Sequence, residues 1–231
     1  MKLDRVIAVR NNKTVYRDGD ACLKVFDESY SKADVLNEAL NQARVEETGL
    51  CIPKVREVTV LDGKWIIVTD YIKGKTLERI MQEDPDNIET YLNRFVDLQL
   101  EVQSKSCPLL TKRYDLHTRL DAMPRHTKLC HGDFNPSNVV VGEDGKLYVL
   151  DWAHATQGNA SADAARTYLL FRLSGNDELA QRYLQLFCEK SGTALTYVQK
   201  WMPIVAASQS VKGNETERAL LHQWVNVVDY E

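Results

Sequence analysis

Long hydrophobic runs are missing from the sequence, and so is a strong excess of either charge. No apolar segment approaches the roughly 20 residues of a transmembrane helix, and the first residues lack the apolar core of a signal peptide. The formal net charge of −4 argues against a nucleic-acid partner and is compatible with a cationic substrate. We therefore expect a cytoplasmic protein with neither a membrane nor a nucleic-acid partner.

Cysteine is sparse and scattered. The 5 cysteines are odd in number, and no two have the CxxC spacing. This pattern suits a reducing compartment better than a disulfide framework or a zinc site. The hydrophobic fraction of 44% and the charged fraction of 27% are ordinary for a globular protein, so disorder is not expected. The cysteines are Cys22, Cys51, Cys107, Cys130 and Cys188.

The first third of the chain has the pattern of strands interrupted by one helix. Ser31, followed by Asp34, predicts the start of a helix that runs to about Thr48. The apolar positions of this helix predict its buried face, and Asp62-Gly63 predicts a turn between two later strands. The predicted strands cover 6–9, 14–16, 21–26, 55–61 and 64–69, and the apolar helix positions are Val35, Leu36, Ala39, Leu40 and Ala43.

Beyond residue 70 the periodicity is mostly helical. We predict an α+β fold, with a small antiparallel β lobe at 1–70 joined to a larger α-rich lobe at 71–231. Residues 107–128 have weak periodicity, and we interpret them as a loop that contains a short helix. The predicted helices of the second lobe cover 88–102, 162–173, 177–190, 196–210 and 215–229.

A hairpin near the middle of the chain organises the polar residues. Its apolar arms, 139–141 and 147–150, meet across Asp144-Gly145, a strong signal for a two-residue type I′ turn. Counting outward from this turn places Asn138 opposite Asp151, and directly opposed side chains lie close together. An amide oxygen and a carboxylate at this position predict a site for a divalent ion.

Asp133, five residues before Asn138, is the candidate catalytic base. His131 is more typical of a group that braces the loop by hydrogen bonding. Asn135 either faces a transferred phosphate or serves the turn before Pro136. Asp163 either supports this loop or caps the helix that follows it.

Lys24 and Glu38 are more informative as a pair than singly. A lysine in an apolar strand is usually exposed on the outer face, and a glutamate in mid-helix is usually solvated. A lysine on the third strand followed by a glutamate on the next helix recurs in kinases, where the lysine holds phosphates and the glutamate orients it.

The residues His131-Gly132-Asp133-Phe134-Asn135-Pro136-Ser137-Asn138 resemble the HGDxxxxN catalytic loop of the aminoglycoside phosphotransferase and choline kinase group. These are protein-kinase-like enzymes that phosphorylate small molecules. Leu150-Asp151-Trp152 resembles their metal-binding segment, at a highly specific spacing from the loop. The lysine strand, the helix glutamate, the hinge and two later helices are also similar, at 22–26, Glu38, 67–74, 163–168 and 201–207.

The resemblance implies a bilobal protein-kinase-like fold, ATP as the phosphate donor and Mg²⁺ as the metal. It implies Asp133 as the base and Asn138 and Asp151 as metal ligands. Lys24, oriented by Glu38, would hold the ATP phosphates, with Asn135 near the γ-phosphate. The remaining nucleotide contacts implied are Thr69 as gatekeeper, Asp70 and Ile72 through backbone hydrogen bonds to adenine, and Val140 and Leu150 beneath the base.

Two departures from the family pattern stand out. Many members have histidine at the position of Asn135, and the asparagine could alter the contacts to the γ-phosphate. The nucleotide-covering loop, 9–16, contains no glycine, although backbone amides approach phosphates best from glycine-rich turns. Side chains such as Asn12 and Lys13 are then candidates for holding the phosphates.

The leading hypothesis is an ATP- and Mg²⁺-dependent phosphotransferase acting on a hydroxyl of an amino sugar, an aminoglycoside or an amino alcohol. The acceptor would meet residues 107–128 and the last helices, where Asp115, Asp121 and Glu217 could contact a cation or simply be solvated. A catalytically silent nucleotide-binding module is the alternative that the missing glycines favour. A metallohydrolase built on His131, Asp133, Asp151 and His154 is a third reading, with fewer ligands than such sites usually have.

Overall fold

The structure is a computed structural model that describes residues 2–10, 12–110, 127–211 and 215–225. The chain divides into two compact units, one formed by 1–80 with 137–155 and the other by 81–136 with 156–231. The first contains the antiparallel sheet and the second most of the helices, which confirms the predicted α+β class. The lobe boundary at residue 70 stays a prediction.

Strands and helices are numbered in chain order. The strands are β1 (Val6–Arg10), β2 (Lys13–Asp18), β3 (Ala21–Phe26), β4 (Val55–Leu61), β5 (Lys64–Asp70), β6 (Gly74–Thr76), β7 (Lys128–Cys130), β8 (Val139–Gly142), β9 (Leu147–Val149) and β10 (Thr156–Gly158). The helices are α1 (Lys32–Glu46), α2 (Leu77–Glu83), α3 (Ile88–Ser104), α4 (Ala160–Leu173), α5 (Asp177–Ser191), α6 (Leu195–Gln199), α7 (Met202–Ser210) and α8 (Glu215–Val225).

The main sheet of the first unit has the strand order β1-β2-β3-β5-β4, and all of its neighbouring strands are antiparallel. Its β4–β5 hairpin turns at Asp62-Gly63, where both residues have positive φ, 49° and 77°. That is the backbone conformation a two-residue type I′ turn requires. The predicted turn is therefore confirmed, together with the five predicted strands.

The central hairpin forms, but its predicted register is wrong by one residue. Val140 pairs with Tyr148, and the Leu150 N–H donates to the Asn138 carbonyl over 2.8 Å, so Asn138 faces Leu150 rather than Asp151. The cause is a three-residue loop, 143–145, closed by the Gly142 N–H donating to the Lys146 carbonyl. In this loop only the glycine, at φ 78°, has positive φ, as in a hairpin loop that ends on a left-handed residue.

Helix α1 starts where predicted, because the Ser31 hydroxyl accepts a hydrogen bond from the Asp34 N–H over 3.1 Å. Its buried face was predicted only in part: Val35 and Ala39 are buried as predicted, but Leu36 and Leu40 are 40% and 47% exposed. Polar side chains occupy the buried face alongside Val35, Ala39 and Val45. These polar residues are Glu38, Asn41 and Gln42.

The second unit is built from helices around aromatic side chains. Phe95 on α3 packs against Phe134 at a ring-centroid distance of 4.6 Å and against Tyr183 on α5 at 6.0 Å. The predicted long helix is confirmed as α3. The segment predicted as one helix over 196–210 is two, α6 and α7, and Pro203 lies in the first turn of α7, a position that tolerates its missing N–H.

Some predicted features fall outside the residues that the structure describes. Of 107–128, it describes 107–110 and 127–128, and of the last predicted helix it describes 215–225. Asp115 and Asp121 therefore lie outside the described residues. Among the helices that are described, none combines the length and apolar character that crossing a bilayer requires.

The hairpin loop gives a direct test of the observed register. Replacing Gly145 by alanine should lower the free energy of unfolding by about 1–2 kcal/mol, because a side chain disfavours the left-handed conformation. Gly145→Asn should cost less, since asparagine visits this region more readily. Urea denaturation measures both, with the neighbouring Lys146→Ala as control. Equal stability of the alanine variant and the wild type would contradict the loop conformation.

Candidate functional site

Lys24 lies at the centre of a charged cluster in the first unit. On β3 it pairs with Val15 of β2 and Ile67 of β5, in the middle of the sheet. Its Nζ forms one ion pair with Glu38 Oε1 and a second with Asp151 Oδ1, the latter at 3.1 Å. The structure therefore brings together three of the residues singled out in the sequence.

Burial alone would lower the pKa of Lys24, but the carboxylates of Asp151 and Glu38 raise it above the ordinary lysine value. An opposite charge within about 4–6 Å favours the ionised form. Lys24 is thus a permanent cation at neutral pH, although its side chain is only 17% exposed. Such a group is suited to binding phosphate oxygens.

Asp151 has a left-handed backbone, with φ 59° and ψ 70°. For a non-glycine residue this conformation costs of the order of 1–3 kcal/mol and tends to occur at functional sites. The residues after it are firmly attached: Trp152 is fully buried and donates to the Val149 carbonyl at 3.1 Å. Asn41 of α1 donates to the Ala153 carbonyl at 3.2 Å. These contacts oppose the relaxation of Asp151.

Asn138 and Asp151 could hold a divalent ion, although they are not opposite each other in the hairpin. Both are half-buried, and they offer an amide oxygen and a carboxylate, the oxygen ligands that Mg²⁺ prefers. Mg²⁺ commonly needs only one or two protein oxygens, because water and phosphates complete its shell. Among the described residues there is no cluster of three or more His, Cys, Asp or Glu that could hold a metal ion, and His154 is exposed.

The residues implied to contact adenine are all in the first unit. Thr69 is paired with Cys22 of β3, and its hydroxyl donates to the Asp70 carbonyl at 3.3 Å. The Asp70 carboxylate accepts from Arg56 Nε at 2.7 Å and therefore points to a neighbour within the sheet. The other three are Ile72 and Leu150, both half-buried, and Val140, which is 7% exposed.

The loop that carries Asp133 lies in the second unit and is braced from within. Buried His131 accepts, at Nδ1, a hydrogen bond from the Asp133 N–H over 3.2 Å. The Asn135 amide donates to the Asp133 carbonyl at 3.0 Å. The backbone of Asp133 is thus engaged on both sides, while its side chain is half-buried.

Helix α4 fixes the residues before and after Asp133. Asp163 Oδ1 accepts from the Gly132 N–H at 2.8 Å, and the Thr167 hydroxyl donates to the Phe134 carbonyl at 2.9 Å. The cap of α4 is Asn159, whose side chain accepts from the Ser161 N–H. Asp163 therefore contacts the loop and does not cap the helix.

Beneath this contact lies a buried polar network that sequence reasoning missed. Gln99 of α3 donates to Thr167 Oγ1 at 3.2 Å and accepts from the Tyr183 hydroxyl at 2.6 Å. Gln103 donates to Asp163 Oδ2 at 3.2 Å. The signal was available, because Gln99 and Gln103 follow Phe95 at four-residue spacing on the apolar face of α3. Burial also raises the pKa of the Tyr183 hydroxyl, which keeps it a donor.

Arg166 is a further residue that the sequence reasoning missed. Burial lowers the pKa of its guanidinium, while the negative charges of Asp133, Glu217 and Asp163 act to raise it. Three carboxylates, that of Asp133 among them, therefore act electrostatically on this one guanidinium. Glu217, singled out in the sequence, accepts a hydrogen bond from the buried Gln209 at 2.6 Å.

The network around Asp133 can be tested through stability. Thr167→Val keeps the shape but leaves the Phe134 carbonyl without the Thr167 hydroxyl in a buried site, at a cost of about 1–3 kcal/mol in unfolding free energy. Thr196→Val, at an exposed position of α6, is the control and should stay within about 0.5 kcal/mol of the wild type. Urea denaturation that gave the same stability for both variants would contradict the proposed bond.

Comparisons with known proteins give the family and the fold that this chain resembles. Residues 106–200 match the family model described as the phosphotransferase enzyme family. No curated protein sequence is similar enough to count as a match.

Solved structures with the same fold are numerous, at low sequence identity. A thermostable mutant of aminoglycoside phosphotransferase APH(4)-Ia, in ternary complex with AMP-PNP and hygromycin B, is 15% identical with a TM-score of 0.67, and 96% of this chain and 91% of that chain are covered. Choline kinase LicA from Streptococcus pneumoniae is 16% identical with a TM-score of 0.59, covering 95% and 86%. A choline/ethanolamine kinase family protein from Mesorhizobium loti is 14% identical with a TM-score of 0.52, covering 100% and 89%.

The structural matches confirm the predicted protein-kinase-like fold, and the family match bears on the part of the chain that holds the HGDxxxxN loop and Asp151. Together they confirm the predicted resemblance to the aminoglycoside phosphotransferase and choline kinase group, and with it the predicted class of enzyme, a small-molecule kinase.

Proposed function

We propose that the protein transfers the γ-phosphate of Mg·ATP to a hydroxyl group of a small amine-bearing molecule. Asp133 accepts the hydroxyl proton as the acceptor oxygen bonds to the γ-phosphorus. The bond from that phosphorus to the bridging oxygen breaks, and ADP leaves with the electron pair. Asp133 returns its proton to solvent after the phosphorylated product departs.

The observation that carries this proposal is the ion pairing of Lys24 with both Glu38 and Asp151. Phosphoryl transfer needs little covalent help from the protein and depends mainly on positioning and on neutralising phosphate charge. Lys24 is a cation held in place on a central strand, so it can donate to phosphate oxygens without first having to be ordered. Glu38 orients it from α1.

Asn138 and Asp151 would hold Mg²⁺, which supplies positive charge to the phosphates. The left-handed backbone at Asp151 supports this role, because strain of this kind is retained where it fixes a functional side chain. Asn135 would lie near the transferred phosphate, although its amide also serves the turn through the Asp133 carbonyl.

The base is supported by the contacts around its loop. Asp163 and Thr167 hold the residues on either side of Asp133, and His131 holds its N–H. A base fixed in this way loses little freedom when the acceptor binds, which favours reaction. His131 therefore acts on the loop rather than as the base.

The acceptor is argued from charge. The negative charges of Asp133, Glu217 and Asp163 all act on Arg166, and this accumulation of carboxylates supports a cationic acceptor over an anionic one. The similar solved structures include an aminoglycoside phosphotransferase with hygromycin B and choline kinases, which supports an amino sugar, an aminoglycoside or an amino alcohol. Thr69, Asp70, Ile72, Val140 and Leu150 would surround the adenine, and the cytoplasm would supply the ATP.

The base assignment is tested with Asp133→Asn. We expect phosphate transfer to fall by about 10²–10⁴-fold, the usual contribution of a general base, while the affinity for Mg·ATP changes little. ADP production would be measured over a panel of hydroxylated amines and sugars with both proteins. Asp97→Asn, which breaks an exposed ion pair with Lys190, is the control and should retain activity.

The same panel separates the two leading readings. Turnover by the wild type that is lost in Asp133→Asn identifies the acceptor and the base together. Normal turnover by Asp133→Asn would show that the base assignment is wrong. Binding of Mg·ATP with no acceptor-dependent ADP production in either protein would favour a silent nucleotide-binding module.

A further inference from the structure

A second lysine, Lys13, approaches the cluster around Lys24. Lys13 begins β2 and is paired with Phe26, while Lys24 is paired with Val15. Paired residues of antiparallel strands share a face, and residues two apart on one strand also share a face. Lys13 and Lys24 are therefore diagonal neighbours on one face of the sheet.

The two lysines divide the carboxylate of Glu38 between them. Lys24 pairs with Oε1, and Lys13 Nζ lies 3.5 Å from Oε2. The side chain of Lys13 is only 16% exposed, and its ammonium lies 5.6 Å from the Phe26 ring centroid and 5.5 Å from that of Tyr30. A lysine at the end of a strand could extend into water, but this one is directed inward.

The position of Lys13 is electrostatically costly. Burial and the nearby charge of Lys24 lower its pKa, and the carboxylates of Asp151 and Glu38 only partly offset this. The formal charges of the two lysines and of the two carboxylates, Glu38 and Asp151, sum to zero when no nucleotide is bound. If Asp151 were engaged by a divalent ion, one carboxylate would be left for the two ammonium groups, and the lysine pair would favour an anion beside it.

We propose that Lys13 is a second phosphate ligand, which binds the phosphates of ADP and ATP beside Lys24. This rests on the proposed nucleotide site and adds a residue to it. The loop from 9 to 16 lacks glycine, so close approach of backbone amides to the phosphates is disfavoured. Lys13, the first residue of β2, belongs to this glycine-free segment and supplies by a side-chain charge what glycine-rich loops supply by backbone N–H groups.

The alternative is that Lys13 only keeps Glu38 in place. The two roles predict different effects of a Lys13 substitution on the binding of ADP and ATP and on the binding of adenosine. A phosphate ligand affects ADP and ATP but leaves adenosine binding unchanged, because adenosine has no phosphate. Loss of a purely structural contact would disturb the site as a whole, and it would lower the melting temperature together with the affinity for every ligand.

The test compares Lys13→Met and Lys13→Arg with the wild type by calorimetric titration of adenosine, ADP and ATP in the presence of Mg²⁺. Lys13→Met should weaken ADP and ATP binding by about tenfold or more, as expected for a lost charge-assisted hydrogen bond. Its affinity for adenosine should be unchanged. Lys13→Arg should keep most of the affinity, and Lys64→Met, at an exposed position on β5, should equal the wild type.

The pH dependence gives a second readout if Lys13→Met does not fold. Because the pKa of Lys13 is lowered from 10.5, wild-type affinity for Mg·ATP should decline at a lower pH than that of Lys13→Arg, whose guanidinium stays charged. Identical alkaline profiles would overturn the proposal, as would equal affinities of Lys13→Met and wild type for ATP. If the wild type bound no Mg·ATP, the proposed nucleotide site itself would be wrong. If ATP binding were lost in Lys24→Met but retained in Lys13→Met, only the proposed role of Lys13 would be wrong.

Discussion

A lysine that is largely removed from water is stable only with carboxylates beside it, and Lys24 has two of them. Glu38 comes from α1 and Asp151 from the end of the central hairpin, so this one ammonium joins three separate parts of the first unit. Breaking such a pair leaves a buried charge without a partner, which costs far more than losing a surface ion pair. The same arrangement provides a fixed cation for phosphates, so structural need and proposed function coincide at Lys24.

Helix α1 explains how this cluster is held. Its buried face carries Glu38, Asn41 and Gln42, which bind respectively to Lys24, to the Ala153 carbonyl and to the Pro53 carbonyl. Each buried polar group on this face has a partner, as low-dielectric surroundings require. The helix thereby holds Lys24 through Glu38. It also holds the backbone of Ala153, two residues after the strained Asp151. In the second unit, α4 plays a comparable part through Asp163 and Thr167, which hold the loop of Asp133 from both sides.

The sequence predicted which segments form helices and strands better than it predicted which face of a helix is buried and how two strands are paired. Asp62-Gly63 and Asp144-Gly145 are the same dipeptide, but only the first forms a two-residue turn; the second ends a three-residue loop and shifts Asn138 by one position. Local residue preference allows both loops, so only the pairing of the flanking strands decides between them. On α1, apolar periodicity placed Leu36 and Leu40 on the buried face. This was wrong because the helix buries polar residues that make tertiary contacts, so its buried face is not its most hydrophobic face. The catalytic-loop pattern was recognisable because its residues are contiguous, whereas Gln99, Thr167 and Tyr183 come together only in the fold.

We propose that the first unit binds Mg·ATP through the cluster around Lys24 and Asp151. The most direct test is titration of ATP, with and without Mg²⁺, into the wild type, Asp151→Asn and Asp144→Asn, the last being a control in the same hairpin. We expect Mg²⁺ to strengthen ATP binding to the wild type and to Asp144→Asn. In Asp151→Asn this gain should fall by at least about tenfold, the lower range for disturbing a metal site. An undiminished Mg²⁺-dependent gain in Asp151→Asn would contradict a role for Asp151 in binding Mg·ATP.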